Sequence, residues 1–116
     1  MSSVNKVILI GRLGSDPEVK TLNGGKSLAK LNLATNSAWR DRESGENREH
    51  TEWHRVVVWG KPAENVGQFL AKGSQVCIEG RIQTRAWTTK EGEERKSTEV
   101  VASQVTFLGS PRAKAA

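Results

Sequence analysis

From Ser27 to Trp39 apolar and polar residues alternate, with Leu31 and Leu33 on one face and Lys30 and Asn32 on the other. A period of two marks a half-buried strand. Four other strands and one short extended piece can be read along the chain. Residues 4–13, VNKVILIGRL, are β-branched and aliphatic and end at Gly14 and the turn-forming pair Asp16-Pro17. A short extended piece, Glu18 to Leu22, runs into Asn23-Gly24-Gly25, a hairpin turn because Asn and Gly tolerate positive φ. TEWHRVVVWG, residues 51–60, is the third strand; Ser74 to Trp87 and Ser97 to Leu108 are the fourth and fifth. Between Gly60 and Gly73 the period becomes helical: Pro62 suits the first helical position, Val66, Phe69 and Leu70 share a face, and Gly73 suits the stop.

Two polar stretches, RDRESGENREH at 40–50 and TTKEGEERK at 88–96, each contain a glycine and are expected to be exposed hairpin loops. The order is three strands, one short helix between strands three and four, then two more strands. This predicts an all-β domain over residues 1–109, a five-stranded Greek-key barrel of the OB-fold type. Residues 110–116 have no apolar periodicity and are expected to be a disordered end. There is no internal repeat.

Composition narrows the function. Lys and Arg number 18 against 13 Asp and Glu, and the sequence pI is about 9.7, which favours a polyanionic partner such as nucleic acid. The 35% apolar content is lean for a chain of 116 residues and favours burial shared with partner subunits. One cysteine, Cys77, allows no intramolecular disulfide and no cysteine-rich zinc site, which points to a reducing compartment. The N-terminus shows no cleavable leader, and no segment approaches the roughly 20 apolar residues of a membrane helix, so a cytoplasmic protein without a membrane partner is expected.

The chain has four Trp, no Tyr and two Phe, so the placement of the tryptophans matters most. Alternation on strand three puts Trp53, Arg55, Val57 and Trp59 on one face and His54, Val56 and Val58 on the other. On strand four the same parity aligns Arg81, Gln83, Arg85 and Trp87 opposite Val76, Ile78 and Ile82, provided no bulge intervenes. Trp39 and Trp87 stand where the long hairpin loops are expected to begin. Bases of any identity stack on aromatic rings while Arg and Lys meet phosphates, so this pattern suits single-stranded nucleic acid. A tryptophan in a small domain is more often packed than free, and Trp59, beside Gly60 and the helix start, is the first candidate for packing. Interleaved cation and ring favour binding for Trp53 with Arg55 and for Arg85 with Trp87, against simple Arg–Trp stacking within the protein. Candidate phosphate contacts are Arg55, Arg81, Arg85, Lys6, Lys61 and Lys72; the last three, like Arg12, flank elements, where a charge is commonly only solvated.

Catalysis finds no support. His50 and His54 are four apart on a strand, not a helix, and no cysteine pair completes a metal site. No phosphate-binding loop or nucleophile elbow occurs, so no cofactor, metal or enzyme activity is expected.

The segments VNKVILIGRLGSDPEVK, SAWRD, TEWHRVVVWGK, KGSQVCIEGRIQTRAW and STEVVASQVTFLG resemble the bacterial single-stranded DNA-binding protein family, from about Val4 to Gly109. The resemblance implies an OB-fold homotetramer that wraps single-stranded DNA in replication, recombination and repair, in the bacterial cytoplasm and at its nucleoid. It implies base stacking by Trp39, Trp53, Trp59 and Trp87, although the family more often has Phe at the third of these, and a subunit-assembly role for His54. The family's flexible linker and acidic tip have no counterpart in GSPRAKAA, so recruitment of replication and repair proteins is not among the expected properties. The chain reads either as a DNA-binding core or as a short member. The competing readings are an OB-fold accessory protein that mainly contacts other proteins and an RNA-binding module of the cold-shock type, whose Phe-rich motifs are missing from this sequence.

Overall fold

Alternating apolar residues form strands because burying one face against a shared core is what removes them from water. A computed structural model describes residues 2–109; the end expected to be disordered, residues 110–116, lies outside the described residues. The elements are β1 (Val7–Leu13), β2 (Glu18–Thr21), β3 (Ser27–Arg40), β4 (Asn47–Trp59), α1 (Lys61–Phe69), β5 (Gln75–Thr88) and β6 (Glu94–Leu108). The five expected strands are β1, β3, β4, β5 and β6, and the short extended piece is β2. Residues 4–6 fall before β1. The Asn5 side chain nevertheless prolongs the β1–β5 ladder, donating to the Ile82 carbonyl and accepting from its N–H, both at 2.9 Å.

The sheet order is β1-β5-β6-β4-β3-β2, and an added pairing of β1 with β3 at Arg12↔Ala34 and Leu13↔Leu33 closes a five-stranded barrel. All pairings are antiparallel except β4 with β6, which runs parallel from Val56↔Val100 to Val58↔Ala102. Closure brings two backbones together at Gly11, where a Cβ would fall on the Ala34 carbonyl oxygen. A side chain there would force β1 off β3.

The inner face carries the core. Leu31, Leu33, Val56, Val58, Val76 and Ile78 are buried, α1 adds Ala63 and Val66, and Leu70 just beyond it completes the set. The helix is shorter than its periodicity suggests. It stops at Phe69, and Leu70 caps it in extended conformation. Gly73 serves the next turn instead, donating its N–H to the Leu13 carbonyl at 2.8 Å. Phe69 is only partly covered and lies 6.2 Å from the Phe107 ring. Where β1 begins, the inner face stays open: Val7, Leu9, Ile82 and Val100 line a cleft of about 570 Å³. Ile82 therefore has the expected inward parity and yet is 49% exposed.

The two hairpins are longer than expected. β3 and β4 pair from Leu28↔Trp59 to Arg40↔Asn47, and β5 and β6 pair out to Thr88↔Glu94. Both ends of the polar stretches 40–50 and 88–96 are thus strand, leaving short turns at 41–46 and 89–93 closed by Asp41 N–H to Glu46 O and Thr89 N–H to Glu93 O, both 2.8 Å. These arms are two-stranded ribbons exposed on both faces, so no apolar period marks them. One bulge occurs, at Ser103 of β6, where Glu79↔Gln104 gives way to Gly80↔Ala102. The extra residue sits on β6, so alternation along β5 continues uninterrupted.

Candidate nucleic-acid interface

Strand β4 alternates as its sequence demands except at Val57: His54 is half-buried and Val56 and Val58 are buried, Trp53 and Arg55 are exposed, and Val57, expected on the outward face, is buried as well although it is not part of the core cluster. Strand β5 places Arg85 and Trp87 outward in the same way. What the sequence does not reveal is how these two faces meet. Strand β6 lies between β4 and β5, and its outward residues join them. Arg55 donates to the Ser97 hydroxyl at 3.3 Å, and the Arg85 guanidinium lies 3.5 Å from a Glu99 carboxylate oxygen. The two Arg and Trp strands therefore share a single face.

None of the four tryptophans is in the core. Trp53 is 60% exposed, Trp39 51%, Trp87 43% and Trp59 42%. Trp59, the first candidate for packing, is the least exposed of the four, yet it lies outside the core, on the outer face that alternation along β4 assigns it. Four large aromatic rings left about half in water make a partly apolar surface beside the basic side chains. Trp39 differs in direction. It pairs with Arg48 in the register that sets Ala34 against Trp53, so it lies on the opposite face of the β3–β4 ribbon from Trp53 and Trp59.

Trp53 has a defined seat. Its ring lies on Gly14, where a Cβ would stand 2.6 Å from the indole Cη2. Gly14 is not at positive φ, so the backbone itself does not require glycine there. The seat is fixed by the Gly14 N–H, which donates to the Asn32 carbonyl at 2.9 Å. The six-membered ring of Trp53 is thus set against the main chain at Gly14, and the side chain as a whole stays 60% exposed. Gly14→Ala is expected to tilt the ring away and weaken single-strand binding severalfold, with thermal stability close to the parent's; comparing melting curves and oligonucleotide titrations of the two proteins checks this.

Next to this seat, Gly14, Ser15, Asn32, Trp53, His54 and Arg55 line a cleft of about 390 Å³. A second cleft of about 260 Å³ adjoins it, sharing Ser15, Asn32 and Arg55 and adding Lys30, Arg85 and Glu99. Further along β5 the Arg85 guanidinium carbon sits 5.5 Å from the Trp87 ring centre, within cation–π range. Trp87 also stands opposite Arg95, as Trp39 stands opposite Arg48.

The other candidate cations are scattered. Arg81 and Lys6 line a separate recess near Glu79, with the Lys6 ammonium 4.0 Å from that carboxylate. Lys61 opens α1 and pairs with Glu64 at 3.5 Å, and Lys72 lies in the turn after the helix, its N–H bonded to Asp16 at 2.8 Å. The interface thus assembles Arg55 and Arg85 and leaves Arg81, Lys6, Lys61 and Lys72 outside it. Sequence reasoning missed Gly14, Asn32, Ser97, Glu99, Arg48 and Arg95. The last two lay inside stretches read as loops, although a cross-strand Arg opposite each hairpin Trp is a signal that register alone supplies.

His54 accepts or donates a 2.9 Å hydrogen bond with the Thr35 hydroxyl and lines the open cleft at the start of β1. Among the described residues no group of His, Cys, Asp and Glu is placed to hold a metal, and no helix is long and apolar enough to cross a membrane.

Comparison with known proteins agrees with this geometry. The model of the single-strand binding protein family matches residues 4–108. Among solved structures, a Plasmodium falciparum SSB in complex with ssDNA is 38% identical with a TM-score of 0.84, covering 94% of this chain and 98% of that one. A deletion mutant of the single-stranded DNA binding protein from Thermus aquaticus is 36% identical with a TM-score of 0.78, covering 91% of this chain and 51% of that one. With a matching family model over nearly its whole length and the same barrel in both solved structures, this chain belongs to the single-strand binding protein family.

Proposed function

We propose that this chain binds single-stranded DNA irrespective of sequence, stacking bases on Trp39, Trp53, Trp59 and Trp87 and meeting phosphates with Arg55 and Arg85, without catalysing a reaction. The observation that carries this is the single outward face on which β6 joins the Arg and Trp residues of β4 and β5. Stacking asks only for a base with a free face, so any sequence serves and duplex DNA, whose faces are occupied, does not. The solved Plasmodium falciparum relative, similar over almost the full chain, is a complex with ssDNA and supports the same ligand. Arg81, Lys6, Lys61 and Lys72 extend the basic surface along which a longer strand runs. The work this serves is protection of unpaired DNA in replication, recombination and repair, in the bacterial cytoplasm at the nucleoid.

Assembly as a homotetramer belongs to the same proposal. Ile8 and Ile10 on the outer face of β1 are 58% and 56% exposed, and from Val7 to Gly11 the β1 edge away from β5 has no strand partner among the described residues. A second copy suits both features, and His54 with Thr35 lies beside the open end of the same strand. Sedimentation is expected to give a species of four times 12.7 kDa; a monomer at micromolar concentration contradicts this part.

Anisotropy of labelled oligonucleotides tests the binding. Mixed-sequence and oligo-dT single strands are expected to bind with similar affinity and duplex far more weakly, and equal binding of duplex overturns the proposal. Arg55→Gln is expected to weaken binding of every sequence alike and to flatten the plot of log affinity against log salt by about 0.7, the value for one phosphate contact on a single strand.

A further inference from the structure

The interface contains a group that a polyanion site has no evident use for. Glu99 projects from β6 on the outward face, between the Arg55 and Arg85 strands, and borders both the open cleft at the start of β1 and the cleft that holds Arg55. Its side chain is 13% exposed, against 57% for Arg85, so the carboxylate is set below the cation it holds at 3.5 Å. A negative charge at that depth repels the phosphates that Arg55 and Arg85 are there to meet. Fixing Arg85 beside the Trp87 ring is something a neutral acceptor of the same shape would do without that penalty.

We infer that Glu99 is a competing carboxylate: it stands in for phosphate on Arg85 while the protein is free of DNA, and Arg85 exchanges it for a backbone phosphate on binding. This rests on the proposed single-strand binding and adds a residue that holds the affinity down and the release rate up. The physical consequence is specific. In the free protein Arg85 is already neutralised, so its engagement with DNA trades one ion pair for another and contributes little net counterion release. With Glu99 made neutral, Arg85 meets phosphate as an uncompensated cation, and the salt dependence steepens by up to about 0.7 in log affinity against log salt.

Glu99→Gln, which keeps shape and hydrogen-bonding capacity, tests this with oligo-dT in anisotropy and stopped-flow displacement at several salt concentrations. The expected result is affinity about two- to fivefold higher at 0.1 M salt, the range for an ion pair of partial exposure, with slower release and a steeper salt slope. In an Arg85→Gln background the same change is expected to give a smaller gain, because Glu99 acts through Arg85. Should Glu99→Gln not fold, Glu99→Thr, uncharged and suited to a strand, makes the same comparison. Weaker or unchanged single-strand binding, an unchanged salt slope, or a gain undiminished without Arg85 each overturns the inference. Parent protein that fails to bind oligo-dT at all defeats the binding proposal itself, so the two failures are distinct.

Discussion

Trp53→Ala weakens single-strand binding by about 1–3 kcal/mol, roughly 5- to 150-fold, while leaving the fold intact; the range is that of base–aromatic stacking in single-strand binders generally, this family included. Two features of the site make Trp53 the tryptophan with the largest expected effect. It is the most exposed of the four at 60%, and its six-membered ring lies against Gly14 beside Arg55. A ring already fixed in the free protein has little conformational freedom left to lose when a base arrives, so more of the stacking energy appears as affinity. Removing it uncovers only the rim of the barrel, and stability is expected to change by about 0.5 kcal/mol or less, as for surface substitutions. Isothermal titration with oligo-dT and a urea melt of the same preparation give both numbers. A variant that unfolds, while its folded fraction binds like the parent, would show that Trp53 is a packing residue.

Leu33→Ala gives the opposite pattern. Leu33 is fully buried in β3, pairs across the barrel closure with Leu13 and belongs to the core that α1 completes. Truncating a buried Leu loses transfer energy and leaves a cavity, together about 2–5 kcal/mol. That is a large fraction of the 5–15 kcal/mol that typical domains possess, so the urea midpoint is expected to fall steeply. Affinity per folded molecule is expected to stay the same, because Leu33 does not reach the outward face. Unchanged stability would mean that the inward and outward faces of β3 are wrongly assigned. The two substitutions together separate the side chains that build the barrel from those that use it.

Local pattern made much of this legible. The inward parity of Val56, Val58, Val76 and Ile78 and the outward parity of Trp53, Arg55, Arg85 and Trp87 follow from a period of two, and the bulge at Ser103 does not disturb them because it falls on β6. The helix shows in the change of period after Gly60, though its end does not: Leu70 continues the apolar pattern into the core from an extended backbone. The outer parts of the hairpin arms were hidden because residues such as Arg48, Glu49 and Arg95 face water on both sides of a ribbon, where burial imposes no alternation. The joining role of β6 was hidden for a different reason. Its parallel pairing with β4 links Val56 to Val100 across 44 positions, and nothing local in either strand encodes which neighbour a barrel will give it. Ser97 and Glu99 therefore enter the site only through topology. Trp59 is half-buried without joining the core, a middle state that alternation alone does not distinguish from either extreme.

Tryptophan fluorescence during titration with oligo-dT, repeated at several salt concentrations and with duplex DNA as control, tests the central claim most directly, since all four reporters are half in water. Strong saturable quenching by the single strand, little response to duplex, and affinity that falls with salt by about 0.7 per phosphate contact are the predicted result. Folded protein whose fluorescence does not change on adding single strands would contradict the claim, because rings that stack on bases cannot stay silent.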